Sequence, residues 1–174
     1  MSHLLIASGL LVVITLGGSL RADPVSALVY SVSGTADFAL PQSLSYNPLK
    51  SGQTVPVGST IRTGDDGKVV LQTTPGSSVE IGNDSILKIT ELAFQKSGGA
   101  VTQRKANLEL TSGVVSALVD PSTPKVTDFK IQTPDGALVA RGTKLTVVVR
   151  NGKTYSSTGE GKVSAIANPS RNSI

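Results

Sequence analysis

The chain has 174 residues, enough for one domain with a proper core, and 39% of them are hydrophobic although only 3% are aromatic. That core must be built from Val, Leu, Ile and Ala, and with 3 Tyr, 3 Phe and no Trp the stacking platforms used for single-stranded nucleic acid are missing. The formal charge of +4 is mild and spread along the chain, and the absence of cysteine excludes disulfides, a thiol nucleophile and a lipoprotein anchor.

The segment 1–22 differs in kind from the rest. Leu4 to Leu20 is a nearly unbroken apolar run without charge, followed by Arg21-Ala22-Asp23-Pro24. A run of this length ending in small residues reads as a secretory signal peptide, cut after Ala22 or at the competing Ser19. The alternative is an uncleaved N-terminal anchor, since the run approaches the minimum span of about 17 residues. Its Gly content and Pro24, which bars helical continuation, favour the signal. An extracytoplasmic address, periplasmic or secreted, follows.

From Asp23 onward, period-two patterning alternates with turn residues. Ala27–Ser33 is expected as a strand, Gly34 breaks it, and Thr35–Leu40 continues or pairs with it. Residues 41–58 carry Pro and Gly throughout and read as a surface loop with at most a short extended piece. Ser59–Thr63 is a strand ending at Gly64. Asp65-Asp66-Gly67 is expected to turn a hairpin into Lys68–Thr74. Pro75-Gly76 and Gly82-Asn83-Asp84 are the next turns, leading into Ser78–Ile81 and Ser85–Glu91. On these strands Val69, Leu71, Val79, Ile81, Leu87 and Ile89 alternate with polar residues, so one face is buried.

Residues 97–105, with the sharpest basic cluster Gln103-Arg104-Lys105, read as a polar loop. Leu108 and Leu110 point inward. Val114–Val119 is apolar at both parities and is expected to be covered on both faces. Residues 120–128 form another loop. Phe129, Ile131 and Thr133 alternate with polar residues up to the Pro134-Asp135-Gly136 turn, and Ala137–Ala140 follows. Thr143–Arg150 is the strongest β segment, and Asn151-Gly152 the best hairpin signal, returning through Tyr155–Thr158. Gly159-Glu160-Gly161 turns into Lys162–Ala167, and residues 168–174 are a polar, flexible tail.

No helical period extends beyond the apolar N-terminal run. About ten to twelve short strands at such spacing predict an all-β fold, an antiparallel jelly-roll-like or sandwich single domain over 23–167. A β-solenoid is the alternative. It ranks second because no fixed repeat is visible and the Asp-Gly and Asn-Gly turns favour antiparallel hairpins.

Ordered blocks along this pattern resemble a FecR-type domain. Gly58-Ser59-Thr60-Ile61-Arg62-Thr63-Gly64 up to Gly67 matches the family's opening turn, and Pro75-Gly76-Ser77-Ser78-Val79 its Gly-Ser strand start. Asn83-Asp84-Ser85-Ile86-Leu87, Leu110-Thr111-Ser112-Gly113-Val114 and Thr133-Pro134 with Arg141-Gly142-Thr143 complete the order, covering nearly all of Val29 to Ala165. The resemblance implies Gly64, Gly67, Gly113, Pro134, Arg141, Gly142 and Thr143 as structural motif residues. Signalling members resemble transmembrane anti-sigma regulators with a cytoplasmic helical region and a C-terminal receptor-contact module. A stand-alone domain lacking both is expected here, so sigma-factor regulation is not carried over.

Catalysis has few materials. The lone His3 lies in the apolar leader, which leaves no Ser-His pair and no usual transition-metal set. A carboxylate pair such as Glu80 with Asp84 is not marked by spacing. Asp65, Asp66 and Asp84 offer oxygen ligands, but their spacing fits no calcium loop, and Asp at turns serves the backbone. Arg141 is expected to use its five donors on carbonyls or a carboxylate near Gly142. No enzyme activity, metal or cofactor is expected. The expected function is a protein-binding or scaffold module at the cell envelope, through loops 41–58, 97–105 and 120–128. The alternative is a structural subunit assembling through strand pairing into a fibre or coat, with Asp23–Ser33 donated to a neighbour. The partner is a protein or envelope component, not nucleic acid, with the membrane involved only through an uncleaved anchor and homo-oligomers as the further option.

Overall fold

The computed structural model describes residues 26–159 and 162–167. The expected signal peptide 1–22, Glu160-Gly161 of the last turn and the tail 168–174 lie outside them. The described residues form an all-β fold of fourteen strands joined in one curled sheet.

The sheet has two wings. In spatial order the first wing holds β4 (Thr54–Pro56), β1 (Ser26–Ser33), β6 (Lys68–Thr74), β7 (Ser77–Ile81), the C-terminal part of β9 (Ala100–Leu118), β12 (Lys144–Arg150) and β13 (Lys153–Thr158). The second holds β3 (Asn47–Pro48), β2 (Ala36–Ala39), β5 (Thr60–Thr63), β8 (Ile86–Ser97), the N-terminal part of β9, β10 (Thr127–Thr133), β11 (Gly136–Arg141) and β14 (Lys162–Ala167). Strand β9 belongs to both, pairing with β8 up to Ser112 and with β12 from Gly113 onward.

Alternation along each strand sends one set of side chains inward. Val69, Leu71, Val79, Ile81, Val115 and Val147 from the first wing join Ile61, Leu87, Ile89, Leu108, Leu110 and Ile131 from the second in one core cluster. Phe129 and Phe38 are its aromatic members, so aliphatic packing carries this core.

Several expectations need correction. Asp65-Asp66-Gly67 does not close a hairpin: β5 pairs with β2 and β8, while β6 pairs with β1 and β7, so the chain crosses between wings there. Residues 97–105 are not a loop but the tip of a long hairpin, with Ser97 opposite Ala100 and β9 running on through Lys105. Loop 41–58 contains β3 and β4, and Leu49 and Val55 within it are buried. The strand at Val114–Val119 is covered on one face only; Val115, Ala117 and Val119 are buried, whereas Leu118 is 56% exposed. The sheet is not wholly antiparallel, because β10 runs parallel to β9 with Phe129 opposite Ala106. The long connection after Leu118 returns the chain to the second wing and allows that parallel pairing.

Candidate functional site

The motif residues converge on places where the chain changes wing. The first gathers Thr63, Gly64, Gly67, Ser85 and Gly113. Thr63 Oγ1 donates to the Gly82 carbonyl at 2.6 Å and accepts from Ser85 N at 3.0 Å, while Thr63 N donates to the Ser85 carbonyl at 3.0 Å. The Gly64 carbonyl accepts from Gly67 N and from Asp84 N, both at 3.0 Å. Ser85 Oγ accepts from Val114 N at 2.9 Å and lies 3.0 Å and 3.2 Å from the Asn83 and Val114 carbonyls, between which it shares its one hydrogen. Gly113 stands against that serine at φ +93°, and a Cβ on it would overlap Ser85 Oγ. Only glycine meets both conditions.

The second place lies where β11 gives way to β12. Gly142 has φ +65°, and a Cβ there would approach Pro121 Cα to 2.7 Å. The adjacent Thr143 is buried, and its carbonyl accepts from Val119 N at 3.0 Å. Pro121 follows Asp120, whose carboxylate meets Arg104 Nη2 at 2.9 Å. Arg104 Nη1 donates to Thr123 Oγ1 at 2.8 Å, and Arg104 N donates to the Val126 carbonyl at 2.9 Å. With a side chain only 5% exposed, Arg104 fastens the 119–126 connection rather than offering a surface cation. The neighbouring Lys105 pairs with Glu91 at 2.9 Å.

A third junction is made by the turn at Pro134. Asp135 Oδ2 accepts from Thr154 N at 2.6 Å, and Thr154 Oγ1 donates to Thr133 Oγ1 at 2.8 Å. The β10–β11 turn of the second wing thereby holds the start of β13 in the first. Arg141 behaves otherwise. It is exposed, and among the described residues its guanidinium has no hydrogen bond or ion pair, so the expectation that its donors satisfy carbonyls is not met.

The titrating groups follow the same backbone logic. Asp66 Oδ1 accepts from Thr35 N at 2.9 Å, and that bond holds its carboxyl below the ordinary range. The Ser122 backbone does the same for Asp120, assisted by Arg104, and the hydrogen bond from Lys105 to Glu91 raises the lysine. Asp84 sits in a turn at φ +49°, and Glu80 is 2.9 Å from Lys68 Nζ. Among the described residues no three carboxylates or histidines gather in metal-binding range.

The surfaces that can meet a partner are of two kinds. In the β2–β3 connection Leu44 is 97% exposed, flanked by exposed Leu40 and Pro41. The rest of that loop is held: Arg62 stacks on Tyr46 at 3.8 Å and meets Asp37 Oδ2 at 3.3 Å. Of the expected loop 120–128, Thr127 and Asp128 belong to β10 and the remainder is tied to Arg104, and 97–105 is a hairpin, so of the three expected loops 41–58 alone presents a free apolar tip. The outer faces of the wings differ as well. The first displays Tyr30, Val70, Leu118 and Tyr155 among Ser and Thr, and a depression of about 360 Å³ lies between Tyr30, Val70 and Ser78. The second is a lattice of opposite charges, with Lys88 opposite Glu109 and Lys105 opposite Asp128.

Comparison with known families gives one match, to the family described as FecR protein, over residues 59–164. No curated protein and no solved structure matches the chain. The matched span begins one residue before β5 and contains all three junctions.

Proposed function

This chain belongs to the FecR protein family, and from that premise we propose that it is a non-enzymatic, extracytoplasmic binding module whose contact with a protein or envelope partner is made by the 40–46 tip. The observation that carries the reading is Leu44, a large apolar side chain almost wholly in solvent on a tip that is otherwise anchored by the Arg62–Tyr46 stack. A rigid scaffold presenting one exposed apolar anchor is the arrangement that recognition loops use. The motif residues support the reading from the other side, since their hydrogen bonds go to the protein's own backbone. Export through the segment 1–22 would place the module outside the cytoplasm.

A photo-reactive amino acid at position 44, introduced in cells carrying the full chain, tests this. The expected result is one discrete cross-linked adduct absent when the probe stands at exposed Lys125. Equal labelling at both positions would overturn the reading.

A further inference from the structure

A curled sheet that does not close leaves edges, and edges are templates for pairing with another chain. Among the described residues four strands have one neighbour: β3, β4, β13 and β14. Two of them are guarded by short length and proline, and β13 is guarded in part. Strand β3 is two residues long and ends in Pro48, and β4 is three residues long and ends in Pro56. Proline cannot donate to an added strand. On β13 the register places Arg150 opposite Lys153 across a two-residue turn, so Lys153, Tyr155 and Ser157 bond inward and Thr154, Ser156 and Thr158 face the open side. The first of those open donors, Thr154 N, is occupied by Asp135.

Among the described residues β14 has no such guard. Thr133 opposite Gly136 across a two-residue turn sets the parity of β11, so Ala137, Val139 and Arg141 bond toward β14. Their partners are Ile166, Ser164 and Lys162. The amides and carbonyls of Val163, Ala165 and Ala167 therefore point to the open edge. Between Val163 and Ala167 there is no charge, no proline and no register shift, and Ala165, Ile166 and Ala167 are exposed.

We propose that this edge is an interface with a second copy of the chain, β14 against β14, antiparallel about Ala165. The register is self-complementary. Ala165 exchanges both bonds with its counterpart, Val163 lies opposite the second copy's Ala167, and no like charges meet within the segment. An edge that pairs with its own kind closes a two-fold dimer, whereas a head-to-tail fibre needs two complementary edges on each copy. Donation of the expected Asp23–Ser33 segment is not the route, because β1 is already paired on both sides, with β4 and β6. The inference does not depend on the family assignment.

The chain contains no cysteine, so single-cysteine variants of the full chain report the interface directly. Paired Cα atoms in such a register are about 5.5 Å apart, within disulfide range. Under a diffusible oxidant A165C should run on a non-reducing gel at the mass of two chains. V163C alone and A167C alone should stay single, and the two mixed should cross-link; S156C on β13 is the control. A165C no more cross-linked than S156C overturns the interface, and V163C cross-linking to itself overturns the register. As a second measurement, Ala165→Pro removes both central bonds while leaving the pairing with β11, and it should weaken the dimer about tenfold or more in sedimentation equilibrium. An unchanged dimer in that variant also overturns the proposal.

Discussion

Gly142 and Arg141 are neighbours in sequence with opposite fates, and two substitutions separate them. Gly142→Val must hold a β-branched residue at positive φ against Pro121, so it should cost about 1–3 kcal/mol. At this chain length that lowers the melting temperature by roughly 2–4 °C per kcal/mol. Arg141→Ala loses no bond within the described residues and should leave the melt unchanged. Thermal melts of both beside the parent protein decide it, and an unmoved Gly142→Val would show that the backbone there is not constrained. The Asp66 and Asp120 carboxyls make a pH prediction. Both are held below their ordinary range, so their contribution to stability is fully present above the unfolded value of about 3.9 and lost as pH falls through the lower folded values. Asp66→Asn and Asp120→Asn should each flatten the fall in melting temperature on acidification below about pH 4, where the parent's curve steepens. Arg104 shows what composition conceals: in sequence it is the centre of a basic cluster, yet Asp120 and Thr123, far along the chain, draw it into the interior.

At the scale of elements, the parity of the strands was legible and their partners were not. Val69, Leu71, Val79, Ile81, Leu87 and Ile89 are all fully buried, as their alternation requires. Asn151-Gly152 closes the β12–β13 hairpin with both residues at positive φ. Asp65-Asp66-Gly67 carries equally strong turn chemistry but leads into a strand of the other wing, because a turn signal records that the chain bends and not which strand receives it. The polar run at 97–105 hid a hairpin whose one local signal was Gly98-Gly99, both at positive φ. The clasp between Asp135 and Thr154 could not be read locally either, since it joins a turn to a strand of the opposite wing. Asp135→Ala should cost about 1–2 kcal/mol for loss of a charged acceptor and speed amide exchange at Thr154 ahead of the core strands. Hydrogen exchange that leaves Thr154 as protected as before would remove the clasp from the account.

For the whole molecule, two functions of sequence divide between two sets of residues. Thr63, Ser85, Gly113, Gly142 and Asp135 join the wings, and their polar groups are engaged by backbone. Leu44 contributes little to that core, and on β14 Ala165, Ile166 and Ala167 are exposed while Val163 packs against it. The all-β class and the family were readable from turn residues in order. The proposed contact lies in the expected loop 41–58, but its narrowing to Leu44 was not readable, because exposure there depends on how β2, β3 and β5 assemble beneath it. The most direct measurement of this division compares Leu44→Asp with Gly113→Val for melting temperature and for adduct formation by the photo-probe placed at Leu40. The account predicts that Leu44→Asp keeps the parent's melt and loses the adduct, whereas Gly113→Val loses stability by about 1–3 kcal/mol and retains the adduct while folded. Capture that persists undiminished in Leu44→Asp would contradict it.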